Sequence, residues 1–369
     1  AKAAYSALDG VVTPLIVLLT YNDKSKEKPR RTVITRVKGK TIQGGIQLAV
    51  IGAGGFACST HLPNLRELGD QYNLRAVVNK TGPSASSVAK QFNAEYASTD
   101  YREILKDPEI DAVIIATRHN LHATMVLESL KAGKHVLVEK PMVLNSKELK
   151  ILNKFIKDNQ GKEMPILMTG YNRRFSPYAV RMAKLIKDRT APFIINYRMN
   201  VGYIPNDHWT QGPEGGGRNI GEACHIYDLF TFLTGSEVKD ILANSIMLRT
   251  NYYVRNDNFV LNLSFADGSV ASLTYTALGS KDYPKEMAEL YVDGKMAVLD
   301  DYKRLTTHGT KKFNLKTASQ QKGLKEELQA FADGIFGGEW PIPWWQQSQS
   351  VEIALEVEDQ INKGIDSLH

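Results

Sequence analysis

The segment Ala49-Val50-Ile51-Gly52-Ala53-Gly54-Gly55-Phe56-Ala57 carries an apolar strand into a glycine-rich turn at the start of a helix, an arrangement that grips a pyrophosphate. Gly52 permits the tight turn, Gly54 lets the backbone approach the phosphates, and Ala57 is small enough for helix and strand to pack closely; Gly55 and Phe56 complete the loop. Further along, Glu139-Lys140-Pro141 follows the apolar run His135-Val136-Leu137-Val138, at the carboxyl end of a strand, where open α/β sheets bind ligands. Val113-Ile114-Ile115-Ala116-Thr117 ends another strand on the same edge and leads to Asn120 and His122. The polar groups of Thr117, Asn120, His122, Glu139 and Lys140 thus converge where a nicotinamide would lie. Dinucleotide choice turns on the end of the second strand, Ala76-Val77-Val78-Asn79-Lys80-Thr81-Gly82. An acid there binds the ribose 2′-hydroxyl and repels a 2′-phosphate; Asn79, Lys80 and Thr81 stand in its place and favour NADP over NAD.

These groups need rigid elements to hold them. From Ile46 the pattern alternates: a helix over Phe56 to Leu68, a strand over Leu74 to Asn79, a helix over Ser84 to Phe92, and strands and helices in turn up to Ile166 to Tyr171. Such alternation predicts a doubly wound parallel sheet with helices on both faces. Beyond Tyr171 the chain turns β-rich, at Phe193–Val201, Ile241–Arg249, Phe259–Phe265, Val270–Ala277 and Ala288–Val292, with hairpin turns at Asp267-Gly268 and Asp293-Gly294. Helices over Pro177–Lys187, Ile220–Leu233, Gly323–Phe336 and Ser348–Asn362 are placed to cover one face of this mainly antiparallel sheet. The reading is an α/β protein with residues 1–45 as an extension and linker, 46–171 as a dinucleotide-binding domain, and 172–369 as a substrate and oligomerisation domain.

At 369 residues the chain exceeds the usual size of a single core. The net charge of +6 suits an anionic ligand, but the basic residues are scattered; the dense run from Lys24 to Arg31 reads as a solvated linker, not a nucleic-acid surface. Two cysteines far apart, Cys58 and Cys224, give no disulfide framework or metal spacing and fit a reducing cytoplasm. No apolar run is long enough to span a membrane.

Taken with Gly170-Tyr171-Asn172-Arg173-Arg174-Phe175 and with Gly215-Gly216-Gly217 ahead of Glu222-Ala223-Cys224-His225-Ile226-Tyr227-Asp228, these motifs make the chain resemble the Gfo/Idh/MocA oxidoreductases from Ile46 to about Asn362. The resemblance implies a nicotinamide-binding Rossmann domain followed by an α/β domain with an open antiparallel sheet that supplies substrate contacts. It implies that Lys140 orients cofactor and substrate, that His225 helps take the hydroxyl proton, and that the Lys140-Pro141 peptide is cis. The chemistry agrees. Hydride transfer from a carbinol needs a proton acceptor, which imidazole provides near neutral pH, and a cation to steady developing alkoxide charge. Asp228, one helical turn after His225, is placed to fix its tautomer.

One departure stands out. Many members carry an Asp four residues before the His, where this chain has Gly221; Glu222, three before, is the candidate replacement. Asn172, Arg173, Arg174, Tyr203, His208 and Trp209 are candidates for the substrate cleft, with Trp209 able to stack on a sugar face. The expected activity is hydride transfer between NAD(P) and a hydroxyl of a sugar, nucleotide-sugar or cyclitol. Competing readings are a sensor that binds dinucleotide or sugar without turnover and a redox-neutral NAD-dependent glycoside hydrolase. A divalent metal held by Glu222, His225, Asp228 and His208 is an alternative to the metal-free site expected. An open sheet face invites a second copy of the chain. Ala3–Gly10 and Pro14–Leu19 resemble the last helix and strand of a zinc-type alcohol dehydrogenase domain, and with no initiating Met the chain reads as part of a fused protein.

Overall fold

The computed structural model describes residues 32–33, 44–310 and 312–363. The segments at Ala3–Gly10 and Pro14–Leu19 lie outside the described residues. After a two-residue strand β1 (Thr32–Val33), six parallel strands follow: β2 (Ile46–Ile51), β3 (Tyr72–Val78), β4 (Tyr96–Ser98), β5 (Ala112–Ile115), β6 (His135–Val138) and β7 (Leu167–Thr169). They lie in the order β4-β3-β2-β5-β6-β7, with β1 antiparallel on the β4 edge. The order reverses between β2 and β5, and the crevice at that reversal is where such sheets hold ligands. β5 is buried along its whole length, as a parallel strand covered on both faces must be.

Helices α1 (Leu62–Glu67), α2 (Gly82–Phe92), α3 (Tyr101–Lys106), α4 (His122–Lys131) and α5 (Ser146–Asp158) wrap this sheet. The helix expected from Phe56 begins instead as a wide π turn, Ala57–His61, before α1. β4 and α3 have no counterpart in the sequence pattern, because each is too short to show a period.

The second sheet contains β8 (Ile194–Asn200), β9 (Val238–Ser245), β10 (Asn258–Phe265), β11 (Val270–Thr276), β12 (Glu286–Val292), β13 (Lys295–Asp300), β14 (Arg304–His308) and β15 (Leu315–Lys316). Their order is β15-β14-β13-β12-β8-β11-β10-β9, antiparallel except where β8 runs beside β11. Both expected hairpins form, and Asp293 and Gly294 have positive φ (44° and 71°), as a two-residue turn of this type needs. Alternate residues of β10 are buried in a core shared with α6 (Pro177–Ile186), α7 (Cys224–Thr234) and α9 (Trp344–Lys363), while α8 (Leu324–Gly337), expected over the same sheet, packs on α1 and the Asn172–Phe175 turn. The other face is open and exposes Ile194, Val260, Val270 and Tyr291. No described helix is long and apolar enough to cross a membrane.

α9 serves both sheets. The fully buried Gln347 accepts from Thr169 N (2.9 Å) and donates to Leu167 O (2.9 Å), closing the β7 edge as a further strand would. Gln360 does the same for β9, accepting from Ala243 N (2.8 Å) and donating to Ile241 O (2.9 Å). Gln347→Leu, similar in volume, strands an N–H and two carbonyls in the interior. We expect a loss of roughly 2–4 kcal/mol in chemical denaturation, whereas a loss under about 0.5 kcal/mol would show that the edge is satisfied some other way.

Candidate active site

The crevice at the strand-order reversal is a cleft of about 920 Å³. Its floor is the glycine turn. Gly52 has φ +86°, and a Cβ there would lie 2.6 Å from Thr117 Cγ2 and 2.8 Å from the Ala116 carbonyl, so no side chain fits. A Cβ on Gly55 would meet nothing within 4 Å, and one on Gly54 only the Gly52 carbonyl at 3.9 Å, which leaves the backbone bare toward the cleft. Such a bare turn opening a helix fits a pyrophosphate. Phe56 stands exposed at the rim, and Ala57 is buried under the helix start. Asn79 and Lys80 line the ribose end. Asn79 donates its amide to Ala53 O (2.9 Å) and Ser84 Oγ (3.0 Å), while Lys80 is exposed. Thr81 caps α2 outside the lining.

Thr117, Asn120, His122, Glu139 and Lys140 border the same cleft. The Lys140-Pro141 peptide is cis. Lys140 Nζ donates to Gly221 O (2.8 Å), a contact between the two domains, and no carboxylate pairs with it among the described residues. Glu139 turns away from Lys140 toward the buried His61, with Nε2 at 2.8 Å. Burial works to raise the Glu139 carboxyl, yet the His61 bond and charge, with Lys140, hold it below its ordinary value. His122 is buried and lies against Pro141 O (2.8 Å) and Thr117 O (3.2 Å), bracing the loop at the cleft wall.

The sequence pattern missed His61, Arg118 and His119. The π turn rotates His61 inward, which no residue spacing signals. The 3-10 turn His119–Leu121 buries His119 and leaves Asn120 exposed. Burial, with help from the Lys140 charge, brings the His119 imidazole down to about 4 against the pull of its bond to Gly215 O.

Below the cleft the expected second cluster rearranges. His225 is buried on α7 and is absent from the lining of the 920 Å³ cleft. Burial and the charges of Arg173, Lys140, Lys285 and Lys322 hold it well below its ordinary value, so the ring is neutral. Asp228 does not reach it: both carboxylate oxygens are taken by Arg174 Nε (2.9 Å) and Nη2 (2.5 Å), and His225 Nδ1 has no partner among the described residues. Burial pushes the Asp228 carboxyl up to about 6 despite Arg174. Glu222 is no relay to His225 either. It is bound by Lys285 Nζ (2.6 Å), Arg218 Nη2 (3.0 Å) and Tyr275 Oη (2.7 Å), and Lys285 and Arg218 hold it ionised against its burial.

Three substrate candidates are likewise committed to the scaffold. Arg173 makes a bidentate pair with Glu286 (2.7 and 2.9 Å), which Lys322 Nζ joins at 2.8 Å. Arg174 holds Asp228 and Gln346, and Asn172 donates to Lys322 O (2.8 Å). Tyr203 stacks on Tyr252 at 4.3 Å, and His208 bonds Thr210 Oγ1 at 2.8 Å on an exposed loop. Of the six, Trp209 alone borders the cleft, with Arg118 over one indole face at 4.0 Å. Glu222, His225, Asp228 and His208 form no metal-holding group among the described residues.

Residues 46–165 match the family described as an oxidoreductase family with an NAD-binding Rossmann fold. The chain is 24% identical over 302 residues to an uncharacterized oxidoreductase of Bacillus subtilis, spanning 79% of this chain and 86% of that one. It is 24% identical over 310 residues to the myo-inositol 2-dehydrogenase of Thermotoga maritima, covering 80% of this chain and 90% of that protein. Among solved structures, a levoglucosan dehydrogenase complex with NADH and levoglucosan superimposes with a TM-score of 0.72 at 21% identity, covering 86% of this chain and 98% of that one, a likeness of fold. The bare glycine turn, the Glu139-Lys140-Pro141 strand end and these matches agree: the chain belongs to the Gfo/Idh/MocA family of NAD(P)-dependent oxidoreductases.

Proposed function

We propose that this chain interconverts a secondary hydroxyl and a ketone on a sugar, nucleotide-sugar or cyclitol. The observation that carries the reading is Lys140: an ammonium without a carboxylate partner among the described residues, at the end of β6, beside the glycine turn in one cleft. A bound nicotinamide supplies the hydride acceptor or donor. Lys140 holds positive charge where alkoxide character develops, in a site drier than bulk water. Thr117, Asn120 and Glu139 border the place of the nicotinamide, and Trp209, which borders the same cleft, offers an aromatic surface for a sugar ring. The relatives that act on inositols support the substrate class.

The test is a panel of sugars, nucleotide-sugars and inositols followed by nicotinamide absorbance. On the best substrate, Lys140→Ala should lower kcat/KM by about 10³-fold, roughly 4 kcal/mol of transition-state stabilisation, with dinucleotide affinity altered by less than about tenfold. Wild-type protein that reduces no dinucleotide with any of these compounds would sink the reading.

The ribose end supports NADP(H) binding at least as tightly as NAD(H). No acid closes β3, Asn79 already spends its amide inside the turn, and Lys80 is free to meet a 2′-phosphate. For a solvent-exposed charge pair, Lys80→Ala should weaken NADP(H) by about three- to tenfold and NAD(H) by less than about twofold. Fluorescence titration of both dinucleotides reads this directly, and equal effects on the two would remove Lys80 from selectivity.

A further inference from the structure

We propose that His61 is a positioning residue of this site: it seats the Glu139 carboxylate away from Lys140, so that the acid next to Lys140 in the chain does not neutralise the ammonium. The proposal rests on the oxidoreductase reading above and adds the group that keeps its cation available.

Glu139 and Lys140 are consecutive at the end of β6, and both border the cleft. Alternation along an extended chain starts their side chains apart, but a carboxylate and an ammonium this close attract strongly wherever water is sparse. An ion pair between them would cancel the charge that a developing alkoxide calls on. The structure gives the acid a different partner. Glu139 Oε1 lies 2.8 Å from His61 Nε2, while Lys140 Nζ donates to Gly221 O at 2.8 Å. A carboxylate only accepts, so Nε2 carries a hydrogen and donates it.

The seat is shaped for the acid. His61 is fully buried at the close of the π turn Ala57–His61, and the Phe56 ring packs edge to face with the imidazole at 5.3 Å between centres. Gly170, just after β7, supplies the space: a Cβ there would lie 3.3 Å from Glu139 Cδ and from both carboxylate oxygens. The carboxylate rests between an imidazole and bare backbone.

The charges that face Glu139 make His61 decisive. Burial works to raise the carboxyl; the His61 bond and charge oppose it first, the Lys140 charge next and His122 last. Burial holds His122 and the neighbouring His119 below their ordinary values, so neither supplies a lasting cation. Glu327, on α8 where that helix meets the π turn, is fully buried with neither oxygen hydrogen-bonded among the described residues. Burial and the Glu139 charge raise it well above its ordinary value, so it stays a neutral acid and adds no second negative charge. Without His61, Lys140 is the strongest counter-charge left to Glu139.

The test uses the dinucleotide-loaded protein and the best panel substrate. His61→Leu should lower kcat by about 10- to 100-fold, the worth of one charge-assisted hydrogen bond, with KM and dinucleotide affinity within about threefold. Adding Glu139→Gln to His61→Leu removes the anion and should raise kcat again by about tenfold; a merely structural histidine predicts a deeper loss. Between about pH 8 and 6 the His61→Leu deficit should shrink, because protonating Glu139 releases Lys140, and the double variant should show no such recovery. Gly170→Ala crowds the carboxylate from the other side without touching His61, and should give a smaller loss with the same pH dependence even where His61→Leu does not fold. Independently of activity, ¹⁵N-histidine NMR of the wild type should show a hydrogen on His61 Nε2. A double variant slower than His61→Leu, a deficit in either single variant that does not change with pH, or a bare Nε2 overturns the proposal alone. Wild-type protein silent on the whole panel overturns the oxidoreductase reading, and this proposal with it.

Discussion

The geometry of the cleft depends on one helix supplying hydrogen bonds that two sheet edges would otherwise leave unmade. β7 and β9 each end a sheet, and an edge strand presents backbone donors and acceptors that cannot be buried unpaired. α9 meets the first edge through Gln347 and the second through Gln360. It also grips the turn between them: Asn219 Nδ2 donates to Ala354 O (2.8 Å), and Tyr227 Oη donates back to Asn219 Oδ1 (2.6 Å). That turn contains Gly221, whose carbonyl receives Lys140, and Lys140 follows β6, the neighbour of β7. The contact joining the domains at the site is thus held from both sides by a single helix.

Charge is distributed to the same end. Arg173 with Glu286 and Lys322, Arg174 with Asp228, and Glu222 with Arg218 and Lys285 are three largely buried sets in which every carboxylate is paired with at least one cation. Buried pairs of this kind add little net stability, because desolvation offsets attraction, but they penalise any packing that separates the partners. They fix α7 and the Asn172–Phe175 turn against the second sheet. Arginines that a sequence reader assigns to substrate are then scaffold, and Lys140, at the end of β6, borders the cleft with no carboxylate partner among the described residues.

Much of this was legible in the residues. Parallel strands such as β5 and β6 are continuous apolar runs because both faces are covered, and the Asp-Gly pairs mark hairpins because the turns need positive φ, at both positions of Asp293-Gly294 and at the glycine of Asp267-Gly268. Gly52 was readable for the same steric reason. Residue types alone did not show which way charged side chains point. Asp228 has helical spacing suited to His225, yet Arg174 lies nearer and offers a bidentate fork that a neutral imidazole cannot match. The π turns at Ala57–His61 and Asn219–Ala223 were equally silent, since one extra residue per turn shifts every later side chain without altering composition. The parallel pairing of β8 with β11 was also hidden, because strand direction within a mixed sheet leaves no mark on alternation.

The glycine triplet at 215–217 shows how a motif found by spacing acquires a cause. A Cβ on Gly215 would lie 2.3 Å from Thr210 Cα, one on Gly216 2.6 Å from Leu144 Cδ2, and one on Gly217 2.2 Å from Asn256 Nδ2. The loop is packed tightly against itself, Leu144 and Asn256, and carries its backbone to the rim of β5, where Glu214 O accepts from Asn120 N (3.1 Å) and Gly215 O meets His119. Beside these bonds, Arg118 covers Trp209 and reaches Glu214 at 3.7 Å, both across solvent-exposed side chains. Exposed pairs of this type are worth about 0–1 kcal/mol, far less than the buried sets around α7. The cleft consequently has a floor fixed by close packing and buried charge, and a roof held by two backbone-directed bonds, the bond from Gln211 Nε2 to the buried Asp257 (2.8 Å) and a screened ion pair.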